Sequence, residues 1–247
     1  MLAVLSDVHG NLAALESVVA DAEGRGCTQF VNLGDILSGP LWPEETADYL
    51  MARGWPTISG NHERQLLTFA PDRMNLSDRH TISCLKDGHL SWLRSLPPTL
   101  QWDREVFLCH GTPASDLQYY LHRVEQWGVR EATAEEVEES SNDRSDGLIL
   151  CGHTHLPLVM RRSGGRLVAN PGSVGLPAYD DDHPYPHAIE TGSPDARYAI
   201  WDGSDVQLIA LAYDYEGAAR RAELNGRPDW AHAIRYGRVA QASTPPQ

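Results

Sequence analysis

Short apolar runs punctuated by glycine and polar clusters recur along the chain, and the first sets the pattern: Leu2 to Leu5 reads as a buried strand. Asn11 can cap the helix that follows, in which Leu12, Leu15, Val18, Val19 and Ala22 fall on one face. The cycle repeats with a strand over Thr28 to Leu33, a helix over Pro43 to Arg53 opened by proline and two glutamates, a short strand over Pro56 to Ser59, and a helix from Asn61 to Phe69. A mostly helical insertion from about Asp78 to Leu96 is closed by Pro97-Pro98 and promises little to any site. Apolar runs either side of Asp103-Arg104 predict a hairpin of Thr99 to Trp102 with Glu105 to Cys109. Residues 115 to 127 and 133 to 140 read as helices, the second with a solvated acidic face from Glu135 to Glu139. Leu148 to Cys151 is another strand. Hairpins then follow from Leu158 to Ala169 and from Tyr198 to Ala212, so the second half reads as antiparallel. Residues 214 to 238 read as helical, and 241 to 247 as a loose polar tail.

This alternation is that of a mixed α/β domain, and the 247 residues suit a single one over 1 to 240. No run approaches the roughly 20 apolar residues of a membrane span, and the N-terminus lacks the marks of a signal peptide, which predicts a soluble, cytoplasmic protein with no membrane partner. Cys27, Cys84, Cys109 and Cys151 have no paired spacing, as fits a reducing compartment; Cys109 and Cys151 read as small buried hydrophobes rather than ligands. With 20 basic against 34 acidic residues the formal charge is −14, so the surface should repel long nucleic acid. A small anionic substrate still fits if bound cations reverse the field inside a cleft. Oligomeric state is not legible in these features.

Candidate chemistry sits where the strands end. Asp7 and His9 are two apart on extended chain and project to the same side. Gly34-Asp35 adds a carboxylate at the next strand end, with glycine permitting a close turn. Gly60-Asn61-His62-Glu63 joins an amide oxygen to an imidazole, His110 follows a strand, and Gly152-His153-Thr154-His155 places two imidazoles on one side of an extended turn. Alone, Asp7 with His9 reads more readily as a solvated turn, Asp35 as a cap and His110 as a structural histidine, whereas the Gly60 to Glu63 tetrad is fairly specific and core histidines rarely come as a pair such as His153 and His155. The blocks' shared position at strand ends makes the set a candidate metal site.

In identity and order the blocks resemble the calcineurin-like metallophosphoesterase superfamily, with its pattern D-x-H, G-D, G-N-H-[ED], H and G-H-x-H, over residues 7 to 155. The resemblance implies a four-layer α/β/β/α sandwich with two facing mixed sheets and the metals at the sheet edge. It implies that Asp7, His9 and His155 hold one divalent cation and Asn61, His110 and His153 the other, with Asp35 bridging. Manganese, zinc, iron or nickel would suit this N/O donor set. It further implies hydrolysis of a phosphoester by a metal-bridging hydroxide, with His62 contacting phosphate or protonating the leaving group. Glu63 is expected to serve structure or to support the ligands from behind.

Ser38 stands where the protein-phosphatase branch has a second aspartate that orients the histidine, leaving His62 without an evident partner. Asn170-Pro171-Gly172-Ser173 resembles a segment of bacterial and archaeal phosphodiesterases of the superfamily. A small phosphodiester is therefore the expected substrate. Phosphomonoesters and dinucleoside polyphosphates remain alternatives, as does a metal-binding interaction scaffold without turnover. Asn170 and Ser173 read either as phosphate contacts or as a turn satisfying its own bonds. The acidic, proline-bearing stretch from Tyr179 to Pro194 reads as a surface loop, or else as a lid carrying His183 and His187 inward. His80, His89 and His122 read as surface or packing residues.

Overall fold

Why the first apolar run is unbroken is evident from its place in the fold. Strand β1 (Leu2–Leu5) is buried on both faces: Leu2 and Val4 point into the space between two sheets, while Ala3 and Leu5 face helices. The structure, a computed structural model, describes residues 1–240; the tail expected to be loose, 241–247, lies outside the described residues.

Helix α1 (Leu12–Gly24) is capped as expected, Asn11 Oδ1 accepting from the Ala14 N–H at 3.2 Å, and carries the chain to β2 (Gln29–Asn32), parallel to β1. Helices α2 (Pro43–Arg53), α3 (Asn61–Thr68), α4 (Leu76–Cys84) and α5 (Asp87–Ser95) precede the hairpin of β3 (Thr99–Gln101) and β4 (Val106–Cys109). Then come β5 (His122–Glu125), β6 (Gly128–Glu131), α6 (Ala134–Ser140), β7 (Leu148–Leu150), β8 (Leu158–Arg161) and β9 (Leu167–Asn170). The chain continues through β10 (Ala178–Asp181), β11 (His187–Glu190), β12 (Ala196–Trp201) and β13 (Val206–Leu211), then α7 (Tyr215–Leu224) and α8 (Pro228–Tyr236).

The two main sheets have strand orders β13-β12-β1-β2 and β3-β4-β7-β9-β8, and both are mixed. Their inner faces meet through Leu2, Val4, Val31 and Leu33 on one side and Val106, Leu108, Leu150 and Ala169 on the other. Outside the first sheet, Leu15, Val18 and Leu50 of α1 and α2 cover Ala3 and Leu5. Outside the second, Val137 of α6 joins Tyr120 and Leu121 over Phe107, Ile149 and Val168. These are the four layers of an α/β/β/α sandwich. The central strands β1, β4, β7 and β9 are buried on both faces, which explains why they read as continuous apolar runs rather than as alternation, whereas the edge strands β3, β8 and β13 are partly exposed.

Several expectations are corrected. Residues 115 to 127 contain no helix; turns lead into the β5–β6 hairpin, where Gly128 at φ 138° supports the reversal and Arg130 pairs with Glu125 and Glu136. Pro56 to Ser59 contributes only an isolated bridge, Thr57 to Asn32. The second half is not purely antiparallel, since β7 runs parallel to both β4 and β9. The helix expected over 214 to 238 breaks at Asn225-Gly226, Gly226 having φ 74°, and Pro228 opens α8. That break folds Trp230 back against His9, with ring centroids 5.9 Å apart. No helix among the described residues is long and apolar enough to cross a membrane.

Candidate metal centre

The strand-end blocks converge at one edge of the sandwich. Asp7 and His9 follow β1, Asp35 follows β2, Asn61 opens α3, His110 follows β4, and His153 and His155 follow β7. Five of these residues, Asp7, His9, Asp35, His153 and His155, have left-handed backbones with φ between 52° and 67°. For residues other than glycine that conformation costs on the order of 1 to 2 kcal/mol each, so the surrounding fold must enforce it. Backbone bonds between strand ends do so: Asp7 N–H donates to Gly34 O at 3.0 Å and His9 N–H to Asp35 O at 3.0 Å.

Two glycines are required by close approach. Gly34 has φ 97°, and a Cβ there would collide with the backbone of Gly60; a Cβ on Gly60 would collide with the Asp35 carboxylate. Glu63 binds the same two loops together. Its fully buried carboxylate accepts the N–H groups of Asp35, Ile36 and Gly60, each at 2.8 Å. The structural role expected of Glu63 is thus to hold Asp35 and Asn61 in register.

Donor atoms of Asp7, His9 and His155 all lie within 4.8 Å of one another, as do those of Asp35, His110 and His153. Asn61 Oδ1 lies 3.2 Å from His110 Nε2, which is itself 3.1 Å from Asp35 Oδ2. Three imidazoles are aimed by backbone carbonyls, which can only accept: Nδ1–H of His9 donates to Ser38 O at 2.7 Å, that of His110 to Leu33 O at 2.8 Å, and that of His155 to Leu176 O at 2.7 Å. Nε2 of each ring is thereby turned to the centre, the arrangement that outer hydrogen bonds impose on metal-binding histidines. His153 is set differently, its Nε2–H given to Leu117 O at 3.1 Å, which leaves Nδ1 for a ligand.

The donor set fits divalent cations. His9 Nε2 and His155 Nε2 stand 3.2 Å apart, and in the neutral rings both are bare lone pairs. Asp7 Oδ1 is buried without a hydrogen-bond partner. Converging lone pairs and an orphaned carboxylate oxygen are costly unless a cation draws on them. Burial pushes the Asp35 carboxyl upward, but the imidazoles of His110, His62 and His9 hold it well below its ordinary range. Burial and its neighbour His155 lower His9 to about 3, keeping it a neutral donor, and burial with His110 lowers His153 to about 4. His110 moves the other way, Asp35 overcoming burial to raise it to about 10.

His62 lies beside this cluster and lines a cavity of about 630 Å³ that also includes His9, Asp35, Asn61, Arg227 and Trp230. Burial opposes its charge, but Asp35 and Asp78 raise it to about 9. Cys109 and Cys151 belong to neither donor group; both are buried in the apolar layer under α6, and burial pushes both thiols upward. Asn170 and Ser173 spend their side chains on the loop. Asn170 Nδ2 donates to Gly152 O at 2.7 Å and Thr154 Oγ1 at 2.9 Å, and Ser173 Oγ donates to Asp7 O at 2.8 Å.

The stretch from Tyr179 behaves in two ways. Tyr179 packs on the His155 ring with centroids 4.7 Å apart and donates to His153 O at 3.1 Å, while the His183 side chain is 92% exposed. His187 turns inward but ends on Tyr119 Oη, 3.0 Å away. His89 and His122 are buried, and His89 pairs with Asp48 at 3.0 Å. Sequence reasoning missed Tyr179, Trp230 and Asp78, none of which stands in a motif. The insertion expected from about Asp78 to contribute little supplies Asp78 beneath the cavity, and Asn75, Leu76 and Ser77 just before it line the cavity wall.

Residues 1–189 match the calcineurin-like phosphoesterase superfamily domain. The chain belongs to this superfamily. An uncharacterized protein of Methanocaldococcus jannaschii is 26% identical over 255 residues, covering 93% of this chain and 95% of that protein. A metallophosphoesterase from Sphaerobacter thermophilus has a similar structure, with a TM-score of 0.76 at 25% identity over 96% of this chain and 98% of the other. A hypothetical protein from Pyrococcus horikoshii OT3 shares the fold, with a TM-score of 0.74 at 18% identity over 97% of this chain and 100% of the other. Membership in this superfamily implies phosphoester hydrolysis, and its members typically bind divalent metals.

Proposed function

We propose that the chain hydrolyses a small phosphodiester, with Asp7, His9 and His155 holding one divalent transition-metal ion, Asn61, His110 and His153 a second, and Asp35 between them. The observation that carries this reading is the aim of the imidazoles, whose far nitrogens are committed to backbone carbonyls so that the near ones converge with two buried carboxylates. When bound, two such cations activate water as the nucleophile and neutralise charge on the phosphate.

The protein's own groups supply the rest. Asn61 would add an oxygen donor without adding charge, so that Asp7 and Asp35 alone would bring negative charge to the ligand set. His62 presents Nε2 to the cavity. As the bond from phosphorus to the leaving oxygen breaks, a proton passes from Nε2 to that oxygen, and water later restores it. Beyond His62 the cavity runs to Trp230 and to Arg227, whose guanidinium is held by Asp229 and Ser77, so a second ester arm has room there against an aromatic face. That extension favours a diester over a monoester.

The test uses metal-stripped protein reloaded with manganese and offered bis(p-nitrophenyl) phosphate and p-nitrophenyl phosphate. We expect turnover that depends on added metal, is abolished by chelator, and shows a higher kcat/KM on the diester. A reloaded protein inert on both esters would overturn the reading and leave a binding scaffold in its place.

A further inference from the structure

Ser38 occupies the place at which an aspartate would be expected to orient His62, yet His62 is not without a carboxylate. Asp78, in the first turn of α4, is wholly buried, and its Oδ1 accepts from His62 Nδ1–H at 3.0 Å. The same oxygen accepts from Ser38 Oγ–H at 2.6 Å. Ser38 therefore does two jobs, since its carbonyl receives the Nδ1–H of His9. Asn75, the cap of α4, accepts the Asp78 N–H at 2.8 Å and fixes the turn that delivers the carboxylate.

A buried carboxylate is costly unless it is paired and hydrogen-bonded, and the first turn of a helix favours negative charge. Asp78 stands in that first turn and takes both of its side-chain bonds on Oδ1, while Oδ2 is buried without a hydrogen-bond partner. With Nδ1 committed, the imidazole of His62 presents Nε2 on its opposite edge, and Nε2 has no protein partner among the described residues. The helix α4 thus reaches under the site and supplies the group that the loop after β2 lacks.

We propose that Asp78 is the positioning residue for His62, holding the imidazole with Nε2 toward the leaving oxygen, and that Ser38 fixes the Asp78 carboxylate in that geometry. The role assigned to His62 rests on the phosphodiesterase reading above; the contact itself does not. Two readouts separate them.

The first is independent of turnover. In zinc-loaded protein, the Nδ1–H of His62 held by a buried carboxylate should give a slowly exchanging downfield imidazole proton resonance. It should vanish in His62→Ala and in Asp78→Ala, and in Ser38→Ala it should remain but exchange faster with solvent, because the carboxylate has lost the bond that fixes it; an unchanged exchange rate there overturns the part given to Ser38. Absence from the wild type, or survival in Asp78→Ala, overturns the proposal; presence in a protein that turns over neither ester overturns only the phosphodiesterase reading.

The second readout compares leaving groups. On p-nitrophenyl diesters, which need little protonation, Asp78→Ala should lose about tenfold in kcat or less; on phenyl diesters it should lose about 100-fold or more, with KM changed less than about threefold. Asp78→Asn keeps an acceptor oxygen and should fall between wild type and Asp78→Ala, and it also serves if the alanine variant folds poorly. In a His62→Ala background, Asp78→Ala should cost nothing further. Equal losses on both leaving groups, or an undiminished loss without His62, would assign Asp78 to the fold alone and overturn the proposal.

Discussion

Asp35→Asn should lower manganese-dependent diester turnover by more than about 100-fold, the upper range for replacing a mere outer partner of a metal ligand, while moving Tm by less than about 3 °C. The Asp35 carboxylate joins His110 to the loop that carries Asn61 and His62. Its Oδ2 lies 3.1 Å from His110 Nε2, and its Oδ1 accepts the His62 N–H at 2.9 Å. The amide keeps the shape of the side chain and one acceptor oxygen, so the fold should tolerate it. It loses the charge, and an amide links two cations far less well than a carboxylate. With Asp35 neutral, Asp7 would be the only anionic ligand in the proposed set. Bound metal per chain, measured by elemental analysis beside kcat, checks the cause: the loss should come with weakened occupancy of one site. Full occupancy with full turnover would show that Asp35 has no such role.

Glu63→Ala should produce the largest loss of stability. Three backbone N–H groups, those of Asp35, Ile36 and Gly60, depend on one carboxylate with no exposure to solvent. Leaving each unsatisfied costs about 1 to 3 kcal/mol, so the total is on the order of 3 kcal/mol or more. For a chain of this size that corresponds to a fall of about 10 °C in Tm. Turnover should fall too, because the loops carrying Asp35 and Asn61 lose their common anchor. Glu63→Gln, which keeps the volume and one oxygen, should fall less. Calorimetry on metal-free protein separates the effect from metal binding, and a shift under about 3 °C for the alanine variant would contradict the anchoring role.

Much of the site was legible because its residues sit in local patterns. Asp7 and His9, or His153 and His155, are two apart at a strand end, and the apolar runs before them announce the strands. The left-handed backbones of the same residues were not legible, because they are imposed by bonds between strand ends such as Asp7 N–H to Gly34 O. Asp78 was missed for a similar reason. It looks like any acidic residue in a helix's first turn, and its contacts to Ser38 and His62 span 40 and 16 residues. Trp230 came within reach of His9 only because Gly226 and Pro228 break a segment that reads as one helix. The β5–β6 hairpin was read as helix because polar residues and scattered apolar positions from 115 to 127 fit a 3.6 period loosely, while its pairing is fixed through Arg130 by partners beyond that window. Sequence blocks thus announce which side chains gather at the sheet edge, and tertiary contacts specify what aims them.

The central claim, that two cations act together at the convergence of these donors, is tested most directly by titrating metal-stripped protein with manganese while following both bound metal per chain and turnover of bis(p-nitrophenyl) phosphate. The account requires two equivalents to bind and turnover to rise with the second. Full turnover at one equivalent, or two bound equivalents with none, would contradict it.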